Sequence, residues 1–178
     1  APGLGLREPS PLIRIRALDP SLSFQGLSDV SAPVDDLAAS TIRPERVFVF
    51  ENLATLLAMP DVPRAIAVHG GGHRVDLVAR LPWAQTVTYW GDLDSHGFAI
   101  LNRLRARGVD ATSALMDMDT LFDHRDLWGI DPDPNVGVFE LLTPDERAAL
   151  QSLSAEGNIR LEQERIPWSY ALARLGVS

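Results

Sequence analysis

The chain has 178 residues, 46% apolar and 22% charged, the composition of an ordinary globular domain rather than a disordered, fibrous or membrane-spanning one. Its 24 acidic and 16 basic residues leave a net charge of −8, which argues against broad electrostatic wrapping of nucleic acid. Cysteine is absent and every basic residue is arginine, which excludes disulfides, thiolate metal sites, cysteine nucleophiles, Schiff-base lysines and a P-loop lysine.

No apolar run approaches the roughly 20 residues of a membrane span. The start, Ala-Pro-Gly-Leu-Gly-Leu-Arg, has neither an initiator methionine nor a signal-peptide layout. The expectation is a piece of a longer, cytoplasmic polypeptide with no membrane partner. Residues 1–44 read as a peripheral, partly irregular extension, because Pro2, Pro9, Pro11, Pro20, Pro33 and Pro44 interrupt any long element. Within it Leu12-Ile13-Arg14-Ile15-Arg16 alternates like a short strand.

From residue 45 the pattern becomes regular, and residues 45–178 read as one domain. Val47-Phe48-Val49-Phe50 is a buried strand, and Glu51-Asn52 opens a helix to about Met59. Ala65-Ile66-Ala67-Val68 is a second buried strand, closed by His69-Gly70-Gly71-Gly72-His73, with a helix over Val75 to Leu81 after it. Val87 to Trp90 forms a third strand; Phe98, Leu101 and Leu104 give the next helix its apolar stripe. Thr112 to Met116 is expected to be a fourth strand. Thr143-Pro144-Asp145-Glu146 has the form of a capping box with proline at the first helical position. Asn158 to Ile166 alternates as a late strand, with Arg160, Glu162 and Glu164 on one face. Strands alternating with helices at these spacings predict an α/β fold with a parallel sheet flanked by helices.

The chemistry-bearing segment is Tyr89-Trp90-Gly91-Asp92-Leu93-Asp94-Ser95-His96-Gly97. Two aspartates at i and i+2 leave an extended strand on the same side. Together with Glu51, which follows the first strand, they fall where open parallel sheets bind ligands, beyond the carboxyl ends of the strands. Three carboxylates there suit a hard divalent ion and phosphoryl or phosphodiester chemistry. The plainer readings are a helix-start acid for Glu51 and a helix cap for Asp94 or Ser95. Gly97 allows close backbone approach at a helix start, where a phosphate binds, and His96 is a candidate donor to it. Arg103 and Arg107 lie one helical turn apart and read first as a solvated face, with Arg103 the candidate for a DNA phosphate. His69 and His73 bracket a glycine turn more readily than they bind zinc. Asp117, Asp119 and His124 suit loop roles.

A strand ending in Glu-Asn, then a strand ending in Gly-Asp-x-Asp, resembles a Toprim domain, the Rossmann-like metal-binding module of topoisomerases, primases and certain nucleases. More narrowly, Val49 to Leu53, Tyr89 to Arg105, Ser113 to Asp117 and Arg160 to Ile166 are similar to the C-terminal region of the JetD family. JetD is the nuclease subunit of Wadjet, a bacterial SMC-based system that defends against plasmids. The resemblance covers about residues 12–167 and implies that Glu51, Asp92 and Asp94 hold Mg²⁺ or Mn²⁺ and support cleavage of double-stranded DNA. It also implies SMC–kleisin-type partners, a homodimer in the full-length form, and an N-terminal DNA-binding region not present in this chain. Glu162 is weighed as a ligand to a second metal against an edge residue paired loosely with Arg160 and Arg165.

Two other classes remain open at this point. One is a phosphatase of the haloacid-dehalogenase type, with the first aspartate as nucleophile. That family places its motif on the first strand and often uses a lysine, neither of which holds here. The other is a non-catalytic assembly module.

Overall fold

The computed structural model describes residues 9–177; the chain's opening residues, Pro2 included, lie outside them. In chain order the elements are β1 (Leu12–Ala17), β2 (Asp29–Pro33), α1 (Val34–Ala39), β3 (Arg46–Phe50) and α2 (Leu53–Ala58). They continue with β4 (Ala65–His69), α3 (Val75–Val78), β5 (Thr86–Trp90), α4 (Ser95–Ala106) and β6 (Asp110–Ser113). Last come α5 (Met118–Asp123), β7 (Gly129–Ile130), α6 (Pro144–Ala155), β8 (Ile159–Arg160) and α7 (Trp168–Arg174).

Six strands form one sheet in the order β2-β1-β4-β3-β5-β6. The β4, β3, β5 and β6 neighbours run parallel, while β1 pairs antiparallel with both β2 and β4. The expected α/β sheet flanked by helices is therefore present. Its centre is apolar on both faces: Phe48, Val49, Phe50, Ala65, Ile66, Ala67 and Val68 are fully buried, as a sheet covered by helices on each side requires. The step from β3 to β4 runs one way across the sheet and the step from β5 to β6 runs the other. Right-handed crossovers then place α2 and α4 on opposite faces and open a crevice between the ends of β3 and β5. Among the described residues no helix is long and apolar enough to cross a membrane.

Within residues 9–44, β1 and β2 are woven into the sheet rather than peripheral. Ile13 and Ile15 are fully buried, because β1 supplies hydrogen-bond partners to the otherwise open edge of β4. Arg16 fastens the same strand to α2, its Nη1 donating to the carbonyls of Leu56, Leu57 and Met59 at 3.1, 2.7 and 2.7 Å. Those are the free carbonyls of a helix C-terminus, where a cation is favoured.

Three other expectations shift. The fourth strand is Asp110–Ser113 rather than Thr112 to Met116, since Leu115 takes a left-handed backbone with φ 58° and breaks the extended run. The helix after β4 is a 3-10 turn at Gly72–Arg74 followed by the short α3. The late strand stops at Arg160: Leu161 pairs with Leu93 outside either strand, and Gln163–Arg165 is a 3-10 turn. The reason is the inward alternation of Ile159, Leu161 and Gln163. It ends on a polar residue whose partners lie at the ends of other strands. The capping box at Thr143 and Glu146 is present as read.

Candidate functional site at the ends of two parallel strands

Strands β3 and β5 are neighbours, with Phe50 opposite Trp90. The ladder runs one residue further, Glu51 N donating to Trp90 O at 3.2 Å. That register sets Glu51 directly beside the exit of β5. Its Oε2 lies 3.4 Å from the Asp92 backbone N–H and 3.4 Å from the Tyr89 hydroxyl. Gly91 leaves the room for this: a Cβ there would come within 2.8 Å of Glu51 Oε2.

Asp94 serves as the N-cap of α4, its Oδ1 accepting from Gly97 N at 2.7 Å, and it is 6% exposed. The plainer reading of Asp94 as a cap is therefore met, and the Gly97 N–H is taken by that cap. Asp92 is held differently, its Oδ1 accepting from the backbone N–H of Gln163 at 2.8 Å. The Gln163 side chain, 1% exposed, accepts from Asn52 N at 3.0 Å and donates to Trp90 O at 3.3 Å. The Glu51 carbonyl in turn accepts from His69 Nε2 at 3.1 Å, so the hydrogen is on that nitrogen. Burial and Arg74 hold the His69 pKa below its usual value, in keeping with a neutral donor.

Electrostatically this is a pocket of acids. Glu51 is pushed up to about 7, first by burial and then by the charges of Asp92 and Asp94. Asp92 is pushed up to about 6 by burial, opposed by its bond from Gln163 and reinforced by Asp94, Glu164 and Glu162. Burial likewise raises Tyr89, which stays a neutral hydroxyl. The charges with the largest effect on the two carboxyls are carboxylates. Yet among the described residues no three His, Asp or Glu side chains converge closely enough to hold an ion by themselves. The donor set is thus chemically suited to a hard cation without forming a closed cage.

The remaining candidates divide. Glu162 is bracketed by Arg160 and Arg165, the latter at 2.9 Å, while Glu164 accepts from Asn52 Nδ2 at 2.7 Å. Arg103 Nε donates to Asp76 at 2.6 Å, and Arg107 shares the same carboxylate. The two arginines hold Asp76 down at about 2. Arg103 Nη1 also lies 3.1 Å from His73 Nδ1; a guanidinium only donates, so that nitrogen accepts and Nε2 carries the ring hydrogen. His96 donates from Nε2 to Asp133 O at 2.9 Å, which raises its pKa. His73, His96, Arg103 and Asn135 line one groove beside α4. Asp117 caps α5 and pairs with Arg174, and buried His124 sits against Tyr170, so both are structural.

Sequence reasoning passed over Gln163 and Tyr89. A trace of Gln163 was readable, since a polar residue at the inward position of Ile159-Leu161-Gln163 demands buried partners. Tyr89 read only as a residue of the third strand, without a role of its own.

Fold and crevice together define an α/β protein with acids gathered at the topological switch point of its sheet. Within that class, the chain belongs to the family described as Wadjet protein JetD, C-terminal, whose model matches residues 5–175. No curated protein matches it.

Proposed function

We propose that this chain is the metal-dependent, Toprim-like DNA endonuclease domain of a Wadjet complex. Membership of the JetD C-terminal family supports a role in plasmid defence. The observation that carries the catalytic reading is the Glu51–Asp92 relationship: at the switch point Glu51 Oε2 lies 3.4 Å from the Asp92 backbone N–H, and burial and neighbouring carboxylates raise both side chains. Such an arrangement is mutually repulsive until a cation is added.

Glu51, Asp92 and Asp94 are the residues that would hold Mg²⁺ or Mn²⁺. Bound there, the ion would neutralise phosphodiester oxygens and lower the pKa of an attacking water. An open set of a few carboxylates is the form Mg²⁺ sites take when waters and substrate phosphate complete the shell. The chain's own contributions are defined. Gln163 holds Asp92 Oδ1, and among the described residues no hydrogen bond engages Oδ2. Glu51 stands beside the exit of β5, its Oε2 3.4 Å from the Asp92 backbone N–H, where its carboxylate would join Asp92 on the ion. The groove of His73, His96, Arg103 and Asn135 offers donors to the backbone phosphates of a double-stranded substrate. With a net charge of −8, efficient cleavage is assigned to a cytoplasmic, SMC–kleisin-type assembly and a homodimer that places two crevices on opposite strands.

The test is Mn²⁺-dependent nicking of plasmid DNA by the full-length protein in its complex, with a small phosphate ester as control. Asp92→Asn keeps the Oδ1 acceptor for Gln163 but removes the charge. It is expected to abolish nicking and the Mn²⁺-induced rise in melting temperature, which mass action gives the wild type. Ester hydrolysis without nicking would point to a phosphatase, and neither activity to an assembly module.

A further inference from the structure

Three of the hydrogen bonds that Gln163 makes land on the frame of the acidic crevice. Its backbone N–H fixes Asp92 Oδ1 at 2.8 Å. Its side-chain carbonyl accepts from Asn52 N at 3.0 Å, the peptide immediately after Glu51. Its side-chain amide donates to Trp90 O at 3.3 Å, the same carbonyl that receives Glu51 N at 3.2 Å. One buried amide therefore spans the ends of β3 and β5 and ties them to the carboxylate between.

The segment is delivered there by independent anchors. Leu93 and Leu161 exchange both backbone bonds, at 2.9 and 3.1 Å. Asn52 Nδ2 holds Glu164 at 2.7 Å. An amide is the side chain this position calls for, because it must accept from one strand and donate to the other. A carboxylate lacks the donor and an apolar residue leaves Asn52 N without a partner.

We infer that Gln163 is a positioning residue, setting the separation and orientation of Glu51 and Asp92 so that both reach one divalent ion. The inference rests on the nuclease reading above and deepens it by naming what holds the ligands. Groups that orient ligands from behind typically change metal affinity about 10–100-fold when lost. A merely structural buried glutamine would instead change stability and leave the affinity of folded molecules alone.

The experiment is Mn²⁺ titration of the full-length protein, followed by the electron paramagnetic resonance signal of free Mn²⁺, beside urea unfolding of each variant. Gln163→Leu and Gln163→Asn, the second too short to span both strands, are each expected to weaken Mn²⁺ binding about tenfold or more. Thr143→Ala, which breaks the remote capping box of α6, is expected to lose stability with wild-type affinity. If Gln163→Leu does not fold, Gln163→Asn decides. Wild-type affinity in the folded Gln163 variants would overturn the inference alone, as would an equal loss in Thr143→Ala. A wild type that binds no Mn²⁺ would overturn the nuclease reading and the inference with it.

Discussion

Gly97 and Asp92 meet through main chain alone: a Cβ on Gly97 would overlap the Asp92 carbonyl oxygen and lie 3.1 Å from the carbonyl carbon. Neither neighbour is a flexible side chain that can swing away. Gly97→Ala is therefore expected to destabilise by about 1–3 kcal/mol, outweighing the gain of up to about 1 kcal/mol that alanine brings inside a helix. Urea unfolding reads the difference, and an unchanged or stabilised variant would show that the Asp92 peptide is free to move.

Acid stability should run opposite to the usual direction in one window. Glu51 and Asp92 keep protons up to about 7 and about 6, against ordinary values of 4.5 and 3.8. Between those limits the folded chain binds more protons than the unfolded one, so stability present at low pH is lost as pH rises through the folded values. The metal-free protein is expected to melt at a lower temperature at about pH 8 than at about pH 5. Asp76, held at about 2, acts only at more acidic pH and with the opposite sign. Glu51→Gln should flatten most of the slope in calorimetry; a slope unchanged from wild type would place its source elsewhere.

Glu162 is expected to be dispensable for cleavage. Two guanidiniums already engage it, and half-exposed pairs of this kind contribute about 0–1 kcal/mol. Glu162→Gln should keep Mn²⁺-dependent nicking within a few-fold of wild type. A loss of about 10²-fold or more, the scale of a missing transition-state charge, would make it a ligand.

The ion pair of half-buried Arg105 with buried Glu146 makes the strongest stability prediction. Glu146 is 4% exposed and accepts from Arg105 at 2.6 and 2.8 Å, from Ser113 at 2.6 Å and from Thr143 N at 2.8 Å. Glu146→Ala leaves the half-buried Arg105 guanidinium with only the Ala111 and Leu141 carbonyls and should cost about 3 kcal/mol, with Mn²⁺ affinity unchanged in the molecules that fold. A loss below about 1 kcal/mol in urea unfolding would mean that the guanidinium finds water.

Much of this was legible from local pattern. The apolar runs at Val47 to Phe50, Ala65 to Val68 and Val87 to Trp90 mark the three central strands, and a strand-end position marks Glu51 and Asp92 without any contact being known. What escaped the sequence depends on partners far along the chain. Ile13 and Ile15 read as a lone alternating strand, and only the open edge of β4 decides that they are core. Gln163 reads as one polar residue among five, and its role exists only where β3 and β5 end side by side. Glu162 kept its predicted arginine neighbours but lost its strand, because Leu161 pairs with Leu93 instead of continuing the ladder.

The bond from Asn52 N to Gln163 spans 111 residues, and the one from Gln163 N to Asp92 spans 71. Contacts so distant along the chain form late in folding. At ordinary synthesis speeds, Gln163 follows Asn52 out of the ribosome after roughly 5–20 s. Until then Glu51 and Asp92 have been made but not braced. A nascent chain, or one truncated ahead of Gln163, thus carries all three acids with no finished crevice, and the order of translation itself delays the crevice until the last piece of its mount exists.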